Sequence, residues 1–303
     1  MKIRLLSGSC YIALLVAFFC LKIFVHDFCF DALLYVFSII GTFEMLRAMD
    51  KRVTKKQRII VYAFTALCIP ACALGEYFYG IGLQAICACT LALAVALLSL
   101  LVVAHDETSL ESIGVSFLSA VYPTLLLSVL SLGNHLIPPT LELKALGINS
   151  DLFILFVFVI SPCADSIAYV FGRFLRKFFP KKMAPKLSPN KTVIGGIGGL
   201  VGGMLGALVM YFIYAAVMGT YGVAPDGSNP IFVWLPIFLA IGLFGAVATE
   251  FGDLVESCIK RKVDLKDMGK IMPGHGGVLD RLDGTLFASI ITYVLVILLY
   301  IIF

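Results

Sequence analysis

The sequence predicts an all-α, polytopic integral membrane protein, and three observations carry this prediction. Hydrophobic residues make up 60% of the 303-residue chain and charged residues only 14%, whereas about a quarter of the residues in a soluble domain are charged. The mean hydropathy is +1.01. The apolar residues form runs of about 20, the length that an α-helix needs to cross the hydrocarbon core of a bilayer. An ordinary soluble globular protein is therefore excluded.

The apolar runs predict about nine transmembrane helices. In order, they cover residues 5–25, 30–47, 59–78, 82–103, 113–132, 151–171, 193–218, 231–252 and 285–303. The pattern is weakest for the second run, which is short, and for the third, which contains Pro70. We expect an N-terminal region of about five spans, residues 1–150, and a C-terminal catalytic region, residues 151–303, with a cytoplasmic signature loop at 252–284.

The distribution of Lys and Arg predicts an N-in, C-out orientation. With the N-terminus in the cytoplasm, 21 of the 23 Lys and Arg residues lie in or beside inside segments, near residues 2–4, 47–58, 173–191 and 260–281. Cytoplasmic loops retain basic residues in this way. We therefore expect a protein of the cell (inner or plasma) membrane whose active site faces the cytoplasm. The net charge of +4 is explained by these loops and predicts no nucleic-acid partner.

Cysteine and glycine patterns both favour structural roles. The nine cysteines lie mostly inside apolar runs and lack the spacing of a zinc site, so we interpret them as small apolar residues rather than disulfide or metal ligands. The glycine-rich stretch 195–206 resembles a phosphate-binding loop at first sight. Its glycines recur at i and i+4 within an apolar helix, which favours close helix packing instead.

Acidic residues are concentrated in the C-terminal half, where nine of the 19 Asp and Glu lie between positions 165 and 283. Glu250 and Asp253 are three residues apart and share one helix face. The pairs Asp264/Asp267 and Asp280/Asp283 repeat this spacing, and Lys and Arg residues are interleaved among them. Carboxylates bind a hard cation such as Mg²⁺, and Lys and Arg contact phosphate oxygens. The pattern predicts a site for magnesium-bound phosphates; the alternative is a solvated loop with salt bridges.

Further residues support a site in this half. The segment Pro273–Gly277 places three glycines around His275, so its backbone can approach a ligand and turn N–H groups toward an anion. Asp165 lies inside the sixth span, where a carboxylate is costly unless it faces a cavity, a cation or a partner; an interhelical hydrogen bond is the alternative. Glu44 in the second span is close to Arg47, and a structural pair is favoured there.

The signature segment, read as a whole, closely resembles that of phosphatidate cytidylyltransferases, also called CDP-diacylglycerol synthases. Its elements are Ser257, Lys260–Arg261, Lys266–Asp267, Pro273–Gly277, Asp280–Arg281 and Asp283. Two earlier elements also match the family: Asp165 with Ala168, Tyr169 and Gly172, and Ser188–Pro189 with Lys191–Thr192. The resemblance covers residues 160–303 well. One departure is Ile194, because the family usually has a glutamate there; Glu250 or Glu44 could substitute.

The resemblance implies that CTP and phosphatidate react to give CDP-diacylglycerol and pyrophosphate, with Mg²⁺ as cofactor; a monovalent cation could join it, and the family suggests a homodimer. We expect His275 to bind or orient phosphate. On this reading the site residues divide by role as follows: catalytic His275, Lys260, Arg261, Lys266 and Arg281; substrate-binding Ser188, Lys191, Thr192, Tyr169, Ser257, Gly276 and Gly277; metal-binding Asp165, Asp253, Asp267, Asp280 and Asp283.

Three alternatives stay open on the sequence alone. A CTP-dependent polyprenol or phytol kinase would need similar contacts but would release CDP. A transporter could place Asp165 and Glu44 on an ion path, although no internal repeat supports it. A catalytically inactive relative is suggested only by Ile194.

Overall fold

The computed structural model describes residues 2–137, 149–185, 187–218, 230–274 and 276–302. Within these ranges, nine helical segments are long and apolar enough to cross a membrane, and all nine predicted spans are found. This number and the predominance of helix confirm an all-α polytopic membrane protein. The N-in, C-out orientation stays a prediction.

The described part of the chain contains ten α-helices. Proline interrupts three of them without ending them, at Pro70, Pro162 and Pro236. The fifth span consists of α5, a π-helical turn at Val121–Leu125 and α6. The helices are α1 (Lys2–Phe24), α2 (Phe28–Ala48), α3 (Lys55–Tyr79), α4 (Gly82–Val103), α5 (Leu110–Ala120), α6 (Leu126–Asn134), α7 (Ser150–Phe174), α8 (Val193–Met218), α9 (Pro230–Lys262) and α10 (Leu279–Ile302).

The signature loop is shorter than the sequence predicts. Helix α9 continues ten residues beyond the predicted end of its span, to Lys262, and α10 begins at Leu279. The residues from Asp253 to Lys262 include no Gly or Pro, and three basic residues in the last turn complement the negative end of the helix dipole. The irregular segment is therefore 263–278, and Asp253, Ser257 and Asp283 lie on helices.

The chain forms two compact units, which do not follow the predicted regions 1–150 and 151–303. Unit 1 contains Met1–His135 together with Lys260–Leu282, and unit 2 contains Leu136–Ile259 together with Asp283–Phe303. The signature segment is thus divided, because its loop packs with the N-terminal helices.

Unit 1 has a core with polar as well as apolar contacts. Phe30, Leu34 and Leu127 are fully buried in it. Thr124 of the π-helical turn shares hydrogen bonds with Thr42 of α2 at 3.2 Å and with Thr65 of α3 at 3.0 Å. These hydroxyl contacts satisfy polar groups that would otherwise be costly inside a membrane protein.

Unit 2 is organised around the glycines of α8. A methyl group added at Gly202 would lie 2.5 Å from the carbonyl oxygen of Cys163 on α7, and one added at Gly203 would lie 2.5 Å from that of Gly242 on α9. Two faces of α8 therefore pack against α7 and α9 at backbone distance, which confirms the close-packing prediction for this stretch.

A short antiparallel hairpin precedes α8 in unit 2. Strand β1 (Lys182–Ala184) pairs with β2 (Ser188–Thr192). The sequence analysis did not predict these strands. The hairpin brings Lys191 and Thr192 directly to the start of α8.

Candidate active site

Lys191 is the centre of a charged cluster in unit 2. It lies at the end of β2, and the next residue, Thr192, caps α8 by accepting a hydrogen bond from the N–H of Gly195 at 3.1 Å. The Lys191 ammonium contacts two carboxylates of α9, Oδ2 of Asp253 at 2.6 Å and Oε2 of Glu250 at 3.2 Å. Because an ammonium has three N–H donors, one donor remains after these two contacts.

Glycine at position 199 makes room for the Glu250 carboxylate. Glu250 is 7% exposed, and a methyl group at Gly199 would overlap its Oε1 and lie 3.3 Å from its Cδ. The glycine-rich face of α8 therefore has a second role besides packing, since it lets a buried carboxylate reach Lys191.

The electrostatic environment keeps Lys191 charged. Partial burial lowers the pKa of an ammonium group, but the neighbouring Asp253 and Glu250 carboxylates raise it by more, so the pKa of Lys191 lies above its usual value. The site thus holds a permanent positive charge at neutral pH.

Two further carboxylates belong to this cluster. Asp165 of α7 interacts electrostatically with Asp283 of α10 and with Asp253, as well as with Lys191 and Glu250. The Asp165 side chain is exposed, and Asp283 is half-buried. A carboxylate at this depth is costly unless it has polar or charged neighbours, and these groups supply them. Unit 2 therefore gathers three of the five predicted metal ligands around a predicted phosphate-binding lysine.

These residues fit a divalent cation in chemistry and charge. Two carboxylates contact the ammonium, and Asp165 and Asp283 interact electrostatically within the same cluster. Carboxylate oxygens are the ligands that Mg²⁺ uses together with water and phosphate. Within the described parts of the chain, no three acidic, His or Cys side chains converge closely enough to form a ready metal site. Ligation by Asp165, Asp253 and Asp283 thus stays a prediction.

The signature loop of unit 1 is built around Asp280. Its Oδ1 accepts a hydrogen bond from Lys260 Nζ at 2.8 Å. Its Oδ2 accepts three backbone N–H groups, from Met268 and Gly277 at 2.8 Å each and from Gly269 at 3.3 Å. Both oxygens are engaged, so the structure gives Asp280 and Lys260 a loop-forming role; metal ligation by Asp280 has no support from this geometry.

The glycines around position 275 serve the same loop. Gly276 has a φ of +91°, and its N–H donates to the carbonyl oxygen of Met272 at 3.1 Å. The Gly277 N–H donates to the Asp280 carboxylate. The sequence predicts instead that Gly276 and Gly277 bind substrate. His275 lies outside the described residues.

The remaining predicted residues have simpler surroundings. The Tyr169 hydroxyl accepts a hydrogen bond from Arg173 at 2.7 Å, and Ser257 donates to Asp253 at 3.4 Å. Arg261 donates to the carbonyl oxygen of Leu265 at 3.1 Å. Ser188 is half-buried, and the exposed members of the set are Tyr169, Arg261, Lys266, Asp267 and Arg281.

Comparison with known proteins decides the family. The sequence profile described as "Cytidylyltransferase family" matches residues 2–299. The chain belongs to the cytidylyltransferase family. A phosphatidate cytidylyltransferase of Bacillus subtilis (strain 168) is 30% identical over 300 residues, 97% of each chain.

Other similar members of the cytidylyltransferase family align over a shorter segment. Phosphatidate cytidylyltransferases of Staphylococcus haemolyticus (strain JCSC1435) and Staphylococcus aureus (strain COL) are 36% and 38% identical over 135 and 136 residues. The aligned part is 45% of each chain, so the match covers about half the length of these relatives. The profile match, in contrast, includes the N-terminal half. The resemblance found from the motifs covers only residues 160–303.

The sequence predicts a structural pair of Glu44 with Arg47, but the structure gives both residues other partners, in the signature loop. Glu44 accepts backbone N–H groups of that loop, and Arg47 donates to the carbonyl oxygen of Met268 at 2.7 Å instead of to Glu44. A charged residue within a span was the only available signal, since the partner of Glu44 lies 234 positions away.

Proposed function

We propose that the protein transfers the cytidylyl group of CTP to phosphatidate, giving CDP-diacylglycerol and pyrophosphate, at the cytoplasmic face of the cell membrane. The family membership and the similarity to the Bacillus subtilis phosphatidate cytidylyltransferase support this reaction. The structural observation that supports the reaction is the charged cluster of unit 2. The Lys191 ammonium contacts Glu250 and Asp253, and Asp165 and Asp283 belong to the same cluster.

The chemistry requires positioning more than proton transfer. A phosphate oxygen of phosphatidate attacks the α-phosphorus of CTP, a new P–O bond forms, and the bond to the bridging oxygen breaks as pyrophosphate leaves. A phosphomonoester has a second pKa of about 6, so the nucleophile is already mostly deprotonated at neutral pH. The protein must therefore align two anionic reactants and compensate their charge.

Lys191 is suited to this task because it keeps its charge and its place. Two of its donors are directed to carboxylates, and the third can contact a phosphate oxygen of CTP or phosphatidate. A lysine that is already held by Glu250 and Asp253 loses little side-chain freedom when it binds.

Mg²⁺ would be held by Asp165, Asp253 and Asp283 and would neutralise charge on the leaving pyrophosphate. Without a cation this cluster would repel an anionic nucleotide, since it holds four carboxylates and one ammonium. The acidic cluster therefore favours CTP that arrives with its own divalent cation. Homodimer formation stays an expectation from the family.

The test is conversion of phosphatidate by the purified protein in detergent with CTP and Mg²⁺, following CDP-diacylglycerol and pyrophosphate together. Both products should form in equal amounts, and Asp283→Asn should abolish both while the protein remains folded. Release of CDP with a phosphorylated lipid would instead establish a kinase. Absence of any product from folded protein would refute the proposal.

A further inference from the structure

Glu44 of α2 is a fully buried carboxylate whose two oxygens both bind the backbone of the signature loop. Oε1 accepts the N–H of Val278 and Oε2 the N–H of Leu279, each at 3.1 Å. Leu279 is the first residue of α10, so Glu44 satisfies N–H groups at a helix start and opposes the positive end of its dipole. A residue 234 positions earlier in the chain thus takes the place of a local helix cap.

The loop has no space for side chains around this carboxylate. A methyl group added at Gly269 or at Gly277 would overlap the Glu44 carboxylate, and one added at Gly269 would also lie 2.5 Å from the Cα of Gly277. The Gly269 and Gly277 N–H groups bind Asp280. Glu44 and Asp280 together therefore accept five backbone N–H groups, from Met268, Gly269, Gly277, Val278 and Leu279.

We propose that Glu44 is a positioning residue for the reaction: its carboxylate fixes the conformation of the signature loop, so the N-terminal half of the chain helps to set the geometry of the C-terminal motif. Glu44 is not part of the signature motif. Charge is essential to the arrangement, because a carboxylate offers only acceptors, whereas an amide would direct an N–H₂ group at one of the two backbone donors. The inference rests on the proposed cytidylyl transfer.

The experiment compares Glu44→Gln with Thr42→Val in the full-length protein. Thr42 is also fully buried on α2, but its hydroxyl contacts Thr65 and Thr124 rather than the loop. Glu44→Gln should lower kcat for CDP-diacylglycerol formation by about tenfold or more, the usual effect of losing one hydrogen bond to a charged group. KM for CTP and phosphatidate should change by less than about threefold, and Thr42→Val should keep kcat within about twofold.

Hydrogen exchange provides a readout that is independent of activity. In Glu44→Gln the amides of residues 268–279 should exchange faster than in the wild type, with no change in α3 or α5. Thr42→Val should leave exchange in the loop unchanged. Glu44→Asp keeps the charge, but its side chain is one methylene shorter and reaches the loop N–H groups less well. Its kcat should be less than half that of the wild type.

The outcomes separate this inference from the proposed function. Wild-type protein without any CDP-diacylglycerol formation refutes the proposed function. An active wild type with Glu44→Gln within twofold of its kcat, or with unchanged loop exchange, refutes the role of Glu44. Equal loss of kcat in Thr42→Val would show a general packing effect and would also refute it.

Discussion

Substitution of Gly199 by alanine tests whether Glu250 positions Lys191. The added methyl group would overlap Oε1 of Glu250, and the end of this side chain can move away more easily than helix backbone. The displaced carboxylate would lose its 3.2 Å contact with Lys191. A hydrogen bond between charged groups contributes about 1.5–3 kcal/mol, which corresponds to a roughly 10- to 150-fold loss of kcat/KM. The assay is CDP-diacylglycerol formation at subsaturating CTP, together with the thermal unfolding midpoint in detergent.

Gly203→Ala is the matched control for this prediction. It lies one turn further along α8 and faces the same helix, α9, but its methyl group would meet the Gly242 carbonyl oxygen and the Ala246 side chain, each at 2.5 Å. Overpacking against backbone costs about 1–3 kcal/mol of stability, so Gly203→Ala should lower the unfolding midpoint more than Gly199→Ala and lower kcat/KM less. The reverse pattern, or full activity of Gly199→Ala, would refute the positioning of Lys191 by Glu250.

Three further predictions concern charge and topology. Because the pKa of Lys191 is raised above its usual 10.5, its ion pairs should stabilise the folded protein while Glu250 and Asp253 are ionised, and this stability should be lost as the pH rises through the raised value; Glu250→Gln should shift this alkaline loss of stability to lower pH. Asp280→Asn should remove the charge of the carboxylate that accepts hydrogen bonds from Lys260 and from three loop N–H groups and lower the free energy of unfolding by about 3 kcal/mol, measured by denaturation in detergent. A single cysteine at position 144, in a cysteine-free background, should react with an impermeant maleimide from outside intact cells; labelling only after lysis would contradict the N-in, C-out orientation.

The membrane spans could be predicted from the sequence because they depend on length and hydropathy alone. The ends of the spans could not. Helix α9 continues to Lys262 although its apolar run ends near 252, since Asp253 and the residues after it favour a helix while they are too polar to lengthen a hydrophobic pattern. Hydropathy thus reports where the bilayer core ends, and helix propensity and capping determine where the helix ends.

The candidate site was predicted in its residue types but not in its pairings. Asp165, Asp253 and Asp283 lie on three different helices, and their association depends on how α7, α9 and α10 pack. The sequence indicated that Asp280 is part of the motif, but its three backbone partners depend on the fold of a loop without regular structure. Residue types and their spacing could therefore be read from the sequence, whereas the contacts of Glu250, Asp253 and Asp280 with lysine or with backbone N–H groups required the structure.

Ile194, which stands where the family usually has glutamate, leads to a last prediction about the contact between Lys191 and Glu250. Ile194 stands three residues after Lys191, in the first turn of α8, where the resemblance leads one to expect glutamate. Glu250 approaches Lys191 from α9 instead, and it can do so because position 199 has no side chain. A carboxylate from either position could direct the ammonium, and one in the first turn of a helix is favoured by the helix dipole.

If Glu250 substitutes for the missing glutamate, Glu250→Gln should lower kcat/KM by about tenfold, and the double variant Ile194→Glu/Glu250→Gln should recover a substantial part of it. Ile194→Glu alone should have little benefit, because Lys191 already has two carboxylate partners. The measurement is a double-mutant cycle on kcat/KM, in which a positive coupling of at least about 1 kcal/mol is expected for groups that share one partner. Additive effects of the two substitutions would show that the carboxylates do not replace each other, and the loss at position 194 would then need another explanation.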